Sequence, residues 1–357
     1  DGVDLNVGAS DVRDAVGRIA NQIPEEADPP RIVKADANAN AVMRLAVTAT
    51  AVWAGPDRIT PSTERTGDPE LAARLAGHAT TGHHRLAAFT IDGGETTFAG
   101  LGADEHDEFE IGSLTKTFTA GILADRGLEE TTVGEIIAAE GSDIADVTLR
   151  ELADHTSGLP RLAGLGWWTM FTTALTGGNP YAGITRDDVI DAALGAPLSD
   201  RGGYSYSNLG SALLGQLLAL EAGTPYEQLL AEHHLAPLGM TDTYPMTDGS
   251  VSPTAPRGLQ STGDHAEPWE MGGYLPAGGL RSTPADMARY ATRLLEDGVP
   301  DLAWGVDDDG TRRHNGGTYG FSTTLLVNPD TGRAVFVAGD TEHDVETVAD
   351  ALHAELP

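Results

Sequence analysis

Two kinds of hydrophobic periodicity run through the chain and divide it into three stretches. Val3 to Val7 alternates apolar and polar as a short strand does. Ser10 then caps a helix carrying Val12, Val16, Ile19 and Ala20 on one face, and Ile23-Pro24 ends it. Met43 to Trp53, rich in Val, Thr and Leu, predicts a second strand, so residues 1–54 are expected to form a β-α-β extension. Residues 55–68 are rich in Pro, Thr, Asp and Gly and predict a linker. From residue 69 the pattern continues to the end of the chain.

In that third stretch Leu71 to His78 predicts a helix. Leu86 to Ile91 and Glu95 to Ala99 flank Asp92-Gly93-Gly94, a hairpin signal. The middle is helical, with a hydroxyl three residues ahead of a carboxylate at Thr148/Glu151, Thr185/Asp188, Thr224/Glu227 and Thr283/Asp286. Ser322 to Val327 and Ala334 to Ala338 flank Asn328-Pro329-Asp330-Thr331-Gly332 as a second hairpin, and Val345 to Leu356 closes as a helix. Strands at both ends with helices between them predict an α+β fold. It consists of an antiparallel sheet flanked by helices (69–125 and 270–357) and an inserted helical subdomain (126–269).

Composition narrows the function. The chain has 54 acidic and 22 basic side chains, a net charge of −32, and no cysteine. Nucleic acid and anionic membrane are therefore poor partners, and thiolate metal sites and disulfides are excluded. No apolar run reaches the ~20 residues that span a bilayer; the nearest, Ala41 to Ala54, contains Arg44. No leader is visible ahead of Asp1. His83-His84 and His233-His234 are neighbours whose side chains point apart, which suits a metal poorly, so no metal or cofactor is expected. The acidic run Asp104 to Glu108 reads as a solvated loop. Trp167-Trp168 with Met170 and Phe171 could line an acyl pocket, touch a membrane surface or pack in the core.

The candidate chemistry starts from a rarity: lysine occurs only at Lys34 and Lys116. Lys116 lies three residues after Ser113 in Ile111-Gly112-Ser113-Leu114-Thr115-Lys116, and Leu114, Phe118 and Ile122 repeat at helical spacing behind it. Ser113 thus falls at or near a helix N-terminus with Lys116 on a neighbouring position. A hydroxyl becomes a nucleophile when a nearby base takes its proton, and a buried amine can be that base. Tyr206-Ser207-Asn208 adds a phenol for proton relay and an amide for orientation. His314-Asn315-Gly316-Gly317 adds glycines that let a backbone N–H approach a substrate.

S-x-x-K, Y-x-N and H-x-G in this order resemble the serine β-lactamase and penicillin-binding-protein-like hydrolases, in their class C and peptidase S12 branch. Residues 69–357 carry the resemblance, with support from His155-Thr156-Ser157-Gly158-Leu159-Pro160 and Pro276-Ala277-Gly278-Gly279-Leu280. It implies that Ser113 is acylated, with Lys116 and Tyr206 sharing the proton transfers in an order that stays open. It also implies that Asn208, His314, Gly316 and Gly317 bind substrate, with the N–H groups of Ser113 and Gly317 as the oxyanion hole. The substrate expected is a small ester, amide or lactam. His314 stands where many relatives carry lysine, which ranks esterase or D-amino-acid peptidase activity above β-lactamase; a catalytically silent binding protein is the alternative. The resemblance further implies an extracytoplasmic location. Separately, residues 11–47 resemble part of the porter domain of resistance–nodulation–division efflux transporters, which suggests an appended fragment rather than transport.

Overall fold

The computed structural model describes residues 59–163, 172–173 and 176–356. The chain divides into two units, residues 1–55 and 56–357, and the β-α-β and porter-like readings of residues 1–54 fall outside the described residues. Within the second unit the strands are β1 (Arg65–Gly67), β2 (Leu86–Asp92), β3 (Glu95–Leu101), β4 (Phe109–Glu110), β5 (Tyr244–Pro245), β6 (Leu280–Ser282), β7 (Gly305–Val306), β8 (Arg312–Gly317), β9 (Ser322–Asn328) and β10 (Arg333–Gly339). Seven of them form an antiparallel sheet in the order β1-β3-β2-β10-β9-β8-β7, and β4-β6-β5 form a small second sheet. The longer helices are α1 (Pro69–His78), α2 (Thr115–Arg126), α3 (Arg186–Leu194), α4 (Asn208–Ala222), α5 (Pro284–Asp297) and α6 (Glu346–Ala354).

Both expected hairpins form. Asp92 lies opposite Glu95, and Gly93 and Gly94 take φ of 57° and 83°, the left-handed pair that a two-residue turn needs. The central strands bury both faces. Phe89, Ile91, Leu325, Val327, Ala334 and Phe336 face the larger core, which continues through α2, α4 and α5. Leu86, Ala88, Leu326, Val335 and Val337 face a second core under α1 and α6, with Leu71, Leu75, Val348 and Leu352. Helices on each side of one sheet therefore remove its apolar strands from water on both faces. α4 is buried along almost its whole length and forms the axis of the helical region.

Thr148, Thr185 and Thr283 cap their helices as the sequence predicts, each accepting from the backbone N–H three residues on. Two expectations are corrected. Thr224 caps nothing: the helix Tyr226–Leu230 starts behind Pro225, and Thr224 Oγ1 is buried without a hydrogen-bond partner. The proline holds the extended φ and ψ of the cap position itself. The stretch 55–68, read as a linker, is tied to the folded unit by backbone bonds from Ile59 onward and enters the sheet at β1. Ser62 N–H donates to His84 O at 2.8 Å, Gly102 N–H donates to Glu64 O at 2.8 Å, and β1 pairs with β3. Backbone bonds rather than apolar side chains hold this edge, so its composition resembles that of a linker.

The small sheet carries a buried charge cluster beneath Ser113. Glu110 stands opposite Arg281 in register, and neither is more than 2% exposed. Arg281 Nε bonds Glu108 at 2.9 Å, its Nη1 lies 3.6 Å from Glu110, and its guanidinium sits over the Phe321 ring. Burial outweighs the pull of Arg281 and raises the Glu110 carboxyl from 4.5 to about 7. Glu110 therefore binds its proton more tightly in the folded state. That stabilisation is complete below the unfolded value and is lost as pH rises through about 7. Urea unfolding between pH 4.5 and 7.5 should show wild-type stability declining by an amount on the order of 3 kcal/mol more than in Glu110→Gln. Parallel pH profiles for the two proteins would refute this assignment.

Candidate active site

Backbone contacts fix the turn that carries the nucleophile. Ser113 lies in the 3-10 turn Gly112–Leu114 that runs directly into α2. Thr115 Oγ1 donates to Gly112 O at 2.7 Å and accepts from Leu280 N at 3.2 Å, while Ile111 O accepts from Thr323 Oγ1 at 3.1 Å. β8 passes against this turn with no room for a side chain. A Cβ on Gly316 would lie 1.9 Å from Ile111 O, and one on Gly112, whose φ is +51°, would lie 2.6 Å from Gly317 N. The two glycines thus bring the Gly317 N–H beside the residue that precedes Ser113.

Ser113 Oγ lies 2.7 Å from Tyr206 Oη and 3.0 Å from Lys116 Nζ. Nζ also donates to Ala277 O at 2.5 Å and lies 4.9 Å from the centre of the Tyr206 ring. Lys116 is 2% exposed, and burial, reinforced by the positive charge of Arg161, holds its pKa well below the ordinary lysine range. Burial raises the Tyr206 phenol, against smaller opposing effects from Ser113 and Arg161. An amine that holds its proton less tightly than usual and a phenol that holds its proton more tightly therefore flank the hydroxyl. Such a set can accept the serine proton on one side and donate a proton on the other.

The remaining expected residues surround this trio. Ser207 caps α4, accepting from Gly210 N at 2.9 Å and donating to Pro160 O at 2.7 Å, which sets Tyr206 at the helix entrance. Asn208 is the first residue of α4; its Nδ2 donates to Tyr181 Oη at 3.4 Å and its Oδ1 is buried without a hydrogen-bond partner. His314 Nδ1 donates to Asn315 O at 2.7 Å, which leaves Nε2 as an acceptor. Burial, with Lys116 nearby, lowers His314 to about 4, so it is neutral near pH 7. Trp167, Trp168, Met170 and Phe171 lie outside the described residues.

Sequence reasoning missed three contributors. His155 packs on Tyr206 with ring centres 4.4 Å apart, accepts from Ser207 N at 3.2 Å on Nδ1, and holds a φ of 59° that non-glycine residues seldom adopt. Ala277 supplies the carbonyl that holds Lys116. Arg161 places its guanidinium carbon 5.1 Å from the centre of the Tyr206 ring. His155 and Ala277 lie in stretches that carry the resemblance without a role of their own, and Arg161 adjoins the first of them with no signal of its own.

The other candidates have structural partners. His83 accepts from Thr80 N and donates to Asp344 O, His84 pairs with Asp340, and His234 donates to Phe118 O. In the acidic loop, Asp107 pairs with Arg85 and Glu108 with Arg281, so it is less solvated than its composition suggests. Among the described residues no group of three or more His, Asp or Glu could hold a metal ion. Nor is any described helix long and apolar enough to cross a membrane.

Comparison with known proteins agrees with this geometry. The family model described as Beta-lactamase matches residues 72–303. D-alanyl-D-alanine-carboxypeptidase/endopeptidase AmpH of Escherichia coli K12 is 29% identical over 66% of this chain and 64% of its own length. Putative beta-lactamase-like 1 of Homo sapiens is 28% identical over 55% of this chain and 40% of its own. These curated relatives are thus matched over less than two thirds of their length. Among solved structures, a class C beta-lactamase superposes with TM-score 0.63 at 16% identity, covering 77% of this chain and 92% of that one. The D-amino acid amidase of Ochrobactrum anthropi SV3 does so with TM-score 0.63 at 21% identity, covering 79% and 97%. The family match begins at residue 72 and gives the porter-like reading of the first 54 residues no support. Because the match spans well over half the chain and contains Ser113, Lys116 and Tyr206, the chain belongs to the beta-lactamase family.

Proposed function

We propose that this protein is a serine hydrolase that forms an acyl-enzyme on Ser113 from small esters or D-amino-acid amides and peptides, with β-lactams ranked below them. The observation that carries the reading is a buried lysine amine 3.0 Å from a serine hydroxyl that also meets a tyrosine hydroxyl at 2.7 Å. Lys116, whose pKa burial lowers, takes the Ser113 proton as Oγ attacks the acyl carbon. The N–H groups of Ser113 and Gly317 receive the developing oxyanion. Tyr206, which stays protonated, passes its proton to the leaving group and regains one from Lys116. Water then attacks the acyl-enzyme by the reverse route and releases the acid. The relatives bearing carboxypeptidase and amidase names support amide and peptide substrates. The neutral His314 offers a weak hold on a substrate carboxylate at the third motif, which is why β-lactams rank lower.

Two outcomes test the reading. Intact-mass analysis after exposure to a fluorophosphonate should show one adduct, mapped to Ser113 and absent from Ser113→Ala; a folded wild-type protein that takes no adduct refutes it. Tyr206→Phe should hydrolyse esters about a hundredfold or more slowly, with the loss in kcat rather than KM. In wild type, kcat/KM should rise with pH as Lys116 loses its proton, with a midpoint well below that of free lysine. A midpoint near 10 would remove Lys116 as the base.

A further inference from the structure

The segments that carry the active-site residues hold none of this chain's acid. Every residue placed there comes from a segment without aspartate or glutamate: 111–124, 155–186, 201–220, 271–285 and 310–329. In a chain with 54 acidic residues among 357, a run such as 155–186 would ordinarily hold four or five of them. Burial holds the Lys116 pKa well below the ordinary lysine range and lowers His155 to about 3 and His314 to about 4. The other arginines of these segments, Arg186, Arg201, Arg281, Arg312 and Arg313, each pair with an acid, and the guanidinium placed against Tyr206 is that of Arg161.

Arg161 is held rigidly in backbone and left free in side chain. Its carbonyl accepts from Asn208 N at 3.0 Å and Leu209 N at 3.3 Å, and Pro160 O accepts from Ser207 Oγ. These bonds lock it to the entrance of α4. The side chain is exposed, and its guanidinium lies against the ring of Tyr206. Other arginines of this region pair with acids: Arg150 with Asp154, Arg186 with Asp187, Arg201 with Glu151. Among the described residues no carboxylate lies within salt-bridge distance of Arg161. An exposed guanidinium lying against a reacting tyrosine, with no carboxylate partner among the described residues, has the chemistry of an anion receptor.

We propose that Arg161 is a specificity-determining residue that binds an anionic group, a carboxylate, on the acyl portion of the substrate, on the Tyr206–Asn208 side of Ser113 rather than at the third motif. The proposal rests on the hydrolase reading and names the substrate class of that site. It also gives the surrounding acid a role. A surface at −32 repels anions, so an anionic substrate is drawn in only where that field is interrupted.

The test compares two p-nitrophenyl esters of equal acyl length, the hemiglutarate, whose acyl group ends in a carboxylate, and the valerate, whose acyl group ends in a methyl. The quantity read is the ratio of their kcat/KM values, in which any general effect of a substitution on catalysis cancels. Wild type should favour the hemiglutarate, and the preference should shrink as ionic strength rises. Arg161→Gln should lower the ratio about tenfold or more, and Arg161→Lys should retain part of it. An unchanged ratio in Arg161→Gln, or a wild type that prefers the valerate at low salt, overturns the proposal. Fluorophosphonate labelling of Ser113 in the same samples separates the two levels. Labelled protein with an unaltered ratio removes only the role of Arg161, whereas failure of both proteins to label removes the hydrolase reading and this proposal with it.

Discussion

The chemistry of this fold depends on one amine kept out of water without a carboxylate to pair with. Burying an ammonium unpaired costs several kcal/mol, and the usual remedies are an acidic partner or loss of the proton. At Lys116 burial pushes toward the second remedy: the described neighbours of Nζ are a carbonyl, a hydroxyl and an aromatic ring, and its pKa is well below the ordinary lysine range. Placing Lys116 on the second turn-face of a helix that starts at the nucleophile makes the desolvated amine and the hydroxyl inseparable. The surrounding architecture serves that burial. α2 packs against α4 and meets α5 through Tyr290, which stacks on Phe118, the turn at Leu275–Gly278 presents the Ala277 carbonyl, and the glycines of β8 lie against the turn that carries Ser113.

The same constraint explains which parts of the site were legible in sequence. A lysine that is nearly absent elsewhere in the chain, three residues after a serine, carries its meaning locally, because helix geometry alone brings i and i+3 together. Tyr206, Gly316 and Gly317 were legible as motifs, but their approach to Ser113 depends on long-range contacts such as Gly316 against Ile111 O. Ala277 was illegible in principle, since it acts through a backbone carbonyl that any residue would supply. His155 and Arg161 act through their positions against the Tyr206 ring, and no spacing rule links residues so far apart in sequence.

Much of the fold was legible for a different reason. The hairpins announced themselves through turn residues with special backbone needs, and three of the four hydroxyl–carboxylate pairs marked helix starts correctly. The failures came where backbone bonding dominates. Residues 59–67 are held by backbone hydrogen bonds beside and at the sheet edge, and the three-residue strand Arg65-Thr66-Gly67 is too short to leave a periodic trace. Likewise β2 and β10 were found as strands but not as strands buried on both faces, since that depends on α1 and α6 closing over the second face.

Electrostatics ties the buried centre to the acidic surface. A chain at −32 pays a repulsive cost for compaction and raises the pKa of any group that can hold a proton, which works against a neutral lysine. Desolvation alone is therefore opposed by the field of the whole molecule. Excluding carboxylates from 111–124, 155–186 and the other site-bearing segments removes part of that opposition, and Glu110, just ahead of the first of them, is held against Arg281. Arg161 adds a positive contribution on the same side, and its effect on Lys116 is in the direction that keeps the amine deprotonated. One pattern of charge thus answers two requirements. The acids that lie far from Ser113 are screened by salt and solvent over a Debye length of about 8 Å at physiological ionic strength, while the few groups inside that radius set the proton on Lys116.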